Sequence, residues 1–302
     1  MLPYTPYDGS SQPFTIGLSQ LAADDWIEPD DRLPAVLAEK AQLLGVHRNA
    51  IFRAELETDE AQQELLTLLA DYLPARYPEL YRRTGDTMQI KGAPDVPLAD
   101  EAEPALVRAG LMVADDLVVM RRGDKGWRIA AAFVAFPSSW SLEEKFGRVM
   151  DEVHAEVPDF EGGSRNAELI NRMFDRLPDD RLVSRMNWSV NATDDLFLPK
   201  SKSQRVMPDR PPAAHFLRVE RQTLRKLPVS GDIVFTIRIY LDPLAQLARE
   251  PDAARLMASL ADQLDAMSEA QAAYKGLLHK RAGMIALLRK AAEDGDYSAF
   301  LP

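Results

Sequence analysis

The 302-residue chain contains no cysteine. That absence removes disulfides, thiolate-bound haem, cysteine-ligated iron–sulfur clusters and cysteine zinc sites together. Histidine is scarce, with four residues (His47, His154, His215 and His279) and none at local metal-ligand spacing. No apolar run approaches the roughly 20 residues needed to span a bilayer, so no membrane partner is expected. Basic residues are outnumbered, 36 Lys and Arg against 47 Asp and Glu, giving a net charge of −11. Phosphate binding needs a basic face, so no nucleic-acid partner is expected. The sequence also lacks G-x-G-x-x-G, a P-loop, G-x-S-x-G and H-E-x-x-H. Its opening, MLPYTPYDGSSQPF, has neither a basic n-region nor an apolar h-region. No signal peptide is read there, and the expected location is cytoplasmic.

What is present suits a folded globular chain: 46% apolar and 27% charged residues,. A proline- and aromatic-rich arm covers 1–31, and helices are expected over 32–46 and 59–74. Leu65, Leu66, Leu69 and Leu73 form the apolar stripe of the second helix,. Residues 84–102 read as a polar connection. Two strands joined by a Gly-flanked turn follow over 116–136, then helices over 141–155 and 164–177. A strand over 181–190 alternates: Leu182, Ser184, Met186, Trp188 and Val190 share one face, Arg185 and Asn187 the other,. A basic proline-containing loop (200–212), a hairpin (215–241) and two helices (247–267 and 269–292) complete the order. The class is α+β. The order strand–strand, helices, three strands is that of a PAS-like antiparallel sheet with inserted helices enclosing a pocket. The division is 1–110 for the arm and helical region, 111–245 for the PAS-like domain, and 246–302 for C-terminal helices packed on the core.

One histidine stands out in SLEEKFGRVMDEVHAEVP, residues 141–158. Ser141 and Glu144 have capping-box spacing. Phe146, Val149, Met150 and Val153 then recur as one apolar helix face, which His154 continues,. A histidine so placed is either a core residue satisfied by hydrogen bonds or an axial ligand to haem iron. His47 and His279 read as surface residues, and His215 opens a strand. A non-haem metal site from His154, His215 and Glu220 is a weaker option. The densest polar cluster is RVERQTLRKLP, 218–228. Glu220, Gln222 and Leu224 point one way there, and Arg221 and Thr223 the other. Glu220 is placed to meet Arg185 across strands, as a structural ion pair or as a pocket wall.

Taken in order, AFPSSW (135–140), EEKFGRVMDEVHAEVP (143–158), RMNWSV (185–190) and RVERQTLRKLPVSGDIVFTIRIYL (218–241) resemble the haem-dependent oxidative N-demethylase alpha-subunit family. PFTIGLSQLAADDWIEPDD (13–31) and YKGLL (274–278) are similar to that family's ends. Where the family has a glutamine and a glutamate before its first strand, this chain reads MVADDL (112–117).

The resemblance implies a PAS-like fold holding haem b. It implies oxidation of a small secondary amine such as dimethylamine by O2, giving formaldehyde and a primary amine. Electrons are implied to come from NADPH through flavin and iron–sulfur groups on reductase partner subunits. His154 is the expected proximal iron ligand, with His215 as the alternative. Arg185, Arg221 and Trp188 are expected at the haem, and Glu220 at the protonated amine. The alternative function is a non-catalytic haem- or small-ligand-binding PAS-like module, a sensor or scaffold.

Overall fold

A computed structural model describes residues 1–100, 102–200, 204 and 208–300. The arm contributes a short strand, β1 (Ser19–Leu21), and leads into α1 (Leu33–Ile51), β2 (Phe52–Ala54) and α2 (Asp59–Arg76). The stretch read as a polar connection holds a small antiparallel sheet, β3 (Tyr81–Thr84), β4 (Thr87–Ile90) and β5 (Val96–Pro97), followed by α3 (Ala105–Gly110). The main sheet follows with β6 (Asp116–Gly123) and β7 (Gly126–Phe133). Next come α4 (Leu142–Lys145), α5 (Met150–Val153), α6 (Arg165–Arg176), β8 (Leu182–Asn191), β9 (Phe216–Lys226) and β10 (Ile233–Pro243). The C-terminal helices are α7 (Ala253–Ala266), α8 (Glu269–Tyr274) and α9 (Arg281–Asp294).

The seven strands of the main sheet lie in the order β1-β8-β9-β10-β6-β7-β2, and every neighbouring pair is antiparallel. Strand β10 reads IVFTIRIYLDP, nearly apolar throughout, as expected for a central strand covered on both faces,. One face packs on the helical N-terminal region: Leu117, Val119, Phe133 and Val234 join Leu65, Leu69 and Leu106 in one core. On the other face Val118, Met120, Leu224 and Ile233 meet Leu142, Met150, Ile170 and Phe174 of the inserted helices. A third core joins Trp188, Val190 and Leu217 to α7 and α9. Of the 200–212 loop, residues 201–203 and 205–207 lie outside the described residues.

Two groups of expectations need correction. The 269–292 helix is split between α8 and α9, with Gly276 at φ 70° between them. The 141–155 helix is two single turns. Gly147 takes φ 75°, a conformation that favours glycine, and Val149 makes an isolated bridge to Arg128 of β7,. Four residues of helix on either side are too few to propagate on their own. The capping box at Ser141 does not form, since the serine side chain caps nothing. The 164–177 helix is a single piece, and there Ser164 accepts a hydrogen bond from the Ala167 amide.

Asp115 is fully buried, yet neither carboxyl oxygen has a hydrogen-bond partner among the described residues. Burial raises its pKa, opposed by the charges of Arg238, Arg221 and Lys40. An acid whose pKa is raised on folding destabilises the fold as pH rises above the unfolded value of about 3.9. Asp115→Asn is therefore expected to raise stability at pH 7 by about 1–3 kcal/mol. The gain should shrink toward pH 4 in urea unfolding. A variant less stable than the parent at pH 7 would show that the ionised carboxylate is satisfied.

Candidate functional site

Side chains of β8–β10 on the face toward the inserted helices are less completely buried than those on the opposite face. Central strands capped by helices should be sealed, and on the N-terminal face they are: Val234, Thr236, Arg221 and Thr223 are all buried. On the face toward α4–α6, Phe235 of β10 and Gln222 of β9 remain half-exposed, as do Val183, Arg185 and Asn187 of β8. Half-exposed apolar side chains surround them, among them Phe14, Ile16, Trp140, Phe146, Val153 and Met173.

His154 caps α5 at φ −96°, ψ 4°, half-buried, with its ring 6.2 Å from that of Phe160. Burial, then the nearby charges of Arg185 and Lys145, lower its pKa to about 4. The imidazole is therefore neutral at pH 7. Arg185 donates to the Thr15 carbonyl at 3.1 Å, while its buried Nε finds no partner among the described residues. Its pKa is lowered by burial and supported by the charge of Glu220.

Glu220 does not pair directly with Arg185. Cross-strand register sets Glu220 against Asn187 and Gln222 against Arg185. Asn187 Nδ2 donates to Glu220 Oε2 at 3.2 Å and Gln222 Nε2 at 3.0 Å. Arg218 Nε lies 3.9 Å from Glu220 Oε1. The guanidinium of Arg218 is held by the carbonyls of Leu196 (3.2 Å) and Phe136 (2.7 Å). Asp116 accepts from the amides of Ala135 and Phe136 at 2.9 and 3.0 Å. Strands β6 and β9 thus anchor the AFPSSW stretch, which explains a tryptophan- and proline-bearing turn at this place.

The structure separates two expected haem residues from this group. Arg221 lies on the opposite face, where it donates to the carbonyls of Trp26 (3.0 Å) and Asp25 and sits 3.2 Å from Glu28. Trp188 also points that way, edge-on to Tyr7 at 6.0 Å and 3% exposed. Both follow from the two-residue repeat of a strand: Arg221 is one step from Glu220, and Trp188 one step from Asn187. His215 is buried at the start of β9, with Nδ1 3.1 Å from the carbonyls of Pro211 and Pro212. Among the described residues no three His, Asp or Glu side chains converge, so His154, His215 and Glu220 do not form one metal site. His47 and His279 are exposed as expected. A shallow cleft between α2 and the small sheet, lined by Gln63, Thr67, Arg83 and Asp86, contains none of these residues.

Two contributors escaped the sequence reading. Asn187 could have been found as the direct cross-strand partner of Glu220, had the register been known. Lys275 lies in a helical segment with no periodic signal, yet it is 5% exposed and its Nζ donates to the Trp188 carbonyl. Burial lowers its pKa to about 8, with Glu220 opposing the shift.

The model of the haem-dependent oxidative N-demethylase, alpha subunit-like family matches residues 17–284. The chain belongs to that family. The match runs from the second half of the arm through the main sheet to the start of α9. It therefore includes every residue just described apart from Tyr7, Phe14, Thr15 and Ile16. No helix among the described residues is long and apolar enough to cross a membrane.

Proposed function

We propose that the space between β8–β10 and α4–α6 holds haem b in a PAS-like domain, and that the chain performs oxidative N-demethylation of a small secondary amine. The order β7-β6-β10-β9-β8, with helices inserted after the second of these strands in sequence, supports the PAS-like reading. The observation that carries the proposal is the presence, on one partly exposed apolar face, of a neutral imidazole and of a guanidinium whose buried Nε has no partner among the described residues. A ligand histidine must present a neutral nitrogen, and a guanidinium fork suits a carboxylate. Charge supports the same reading. Arg185 and Arg218 both lie near Glu220, two cations to one carboxylate, in a chain of net charge −11. That local surplus suits a dianionic group such as the two haem propionates.

His154 is the proposed iron ligand, and Arg185 the propionate partner. Arg221 and Trp188 are left out because they face away. Bound haem supplies the oxidation: a secondary amine, O2, two electrons and two protons give a primary amine, formaldehyde and water. Glu220 offers the counter-charge for the protonated amine, since a cation leaving water needs one. Its Oε2 accepts from Asn187 and Gln222, and its Oε1 lies 3.9 Å from Arg218 Nε. A chain without cysteine draws its electrons from partners, proposed as reductase subunits with NADPH, flavin and iron–sulfur groups,. Family membership favours this activity over a non-catalytic sensor or scaffold.

The test is formaldehyde release from dimethylamine by the haem-loaded protein supplied with O2 and a chemical reductant. Release that depends on both protein and amine is expected, and none would end the proposal. Glu220→Gln is expected to weaken the amine-induced change in the haem spectrum about ten-fold, equivalent to about 1.4 kcal/mol. Unchanged amine affinity would place the cation elsewhere.

A further inference from the structure

Strand β8 is the outer strand of the sheet beyond Ser184, because β1 covers only Leu182 to Ser184. Backbone groups from Arg185 onward on that side need another partner. Lys275, just past the end of α8, supplies one. Its Nζ donates to the Trp188 carbonyl and lies 3.5 Å from Asn187 Oδ1. It also lies 5.1 Å from the ring centre of Phe14 and 5.3 Å from that of Trp188. An ammonium group only donates, so it fixes which end of the Asn187 amide faces it. The oxygen turns to Lys275 and the nitrogen is aimed at Glu220, 3.2 Å from Oε2. Gln222 reaches the same oxygen from the next position along its face at 3.0 Å.

We infer that Lys275 is a positioning residue for Glu220, acting through Asn187. The inference rests on the reading of Glu220 as the amine's counter-charge. With Lys275 in place, Asn187 presents its amide donor to Glu220 Oε2, which keeps the carboxylate oriented. Without it, the amide is free to turn its oxygen toward the carboxylate, and two acceptors then face each other. A lysine that served only to close the sheet edge would affect stability and leave amine recognition alone.

The experiment uses the full haem-loaded chain with dimethylamine as probe, and reads the amine dissociation constant from the visible spectrum. Lys275→Met is expected to weaken amine binding about ten-fold with haem content and Soret position unchanged, and Lys275→Arg to recover most of the loss. In a Glu220→Gln background, Lys275→Met should add less than about two-fold, because residues acting as one unit are not additive. Equal losses in both backgrounds would overturn the inference. So would a Lys275→Met protein that binds amine like the parent while Glu220→Gln does not. A Glu220→Gln protein that binds amine normally would instead remove the reading beneath it. If Lys275→Met fails to fold, Asn187→Leu breaks the same link without touching the strand edge. That variant must reproduce the loss, and parental affinity in it would overturn the inference.

Discussion

Replacing His154 by alanine is expected to abolish the native Soret band of the haem-loaded protein while leaving the fold intact. The stability effect should be small, since His154 is half-buried at the end of a four-residue helix and no described side chain hydrogen-bonds to it. Changes of that kind cost about 1 kcal/mol or less. The spectral effect should be complete, because this imidazole is the proposed iron ligand. The pKa near 4 means that no proton competes for that nitrogen at pH 7. The hole left by alanine is the size of imidazole, so free imidazole in the buffer should restore much of the native spectrum. His215→Ala should leave the band in place, since His215 opens β9 beside Pro211 and Pro212 and is not among the residues packed with α4–α6. The reverse pattern, with His154→Ala native in spectrum and His215→Ala altered, would move the ligand to the start of β9.

The second large effect is expected at Lys40, which lies outside the proposed site but is central to the fold. Its ammonium is fully buried between α1 and the loop before β6. It donates to the carbonyls of Gly110 (3.2 Å), Val113 (3.0 Å) and Asp115 (2.5 Å), and lies 3.9 Å from Asp116 Oδ1. Phe133 and Phe136 pack their rings around it, at 5.5 and 5.8 Å. Lys40→Met keeps the stem's packing and removes the charge. Three carbonyls then lose a donor, and Asp116 loses its counter-charge while still accepting from Ala135 and Phe136. Breaking one side of such a buried pair costs about 3–5 kcal/mol. The loss should appear in urea unfolding as a lower midpoint with an unchanged slope. A loss under about 1 kcal/mol would mean that water takes over the role of the ammonium.

Alternation and periodicity made much of this architecture legible. Leu182 to Arg185 alternates in burial as strand parity requires, and the β9–β10 hairpin forms around the LPVSG turn. Helix α2 buries the leucines its spacing marked. Short elements were less legible. Strands β1 and β2 have three residues each, and their pairing with β8 and β7 depends on partners distant in sequence. The 141–155 helix had a convincing apolar stripe, but Gly147 at positive φ and the bridge at Val149 outweighed it. At the site, residue types pointed to His154, Arg185 and Glu220. Strand parity in RVERQTL also predicted that Arg221 faces away from Glu220, and the same rule separates Trp188 from Arg185. The role of Lys275 could not be read, because it depends on an open strand edge that only the sheet order reveals.

The most direct test of the central claim is a haem titration of the purified chain, followed by absorption between the ultraviolet and visible. Saturation at about one haem per chain, with a sharpened Soret band that Arg185→Ala weakens and His154→Ala removes, is the predicted result. Haem that binds without saturation, or equally well to the His154→Ala and Arg185→Ala proteins, would contradict it.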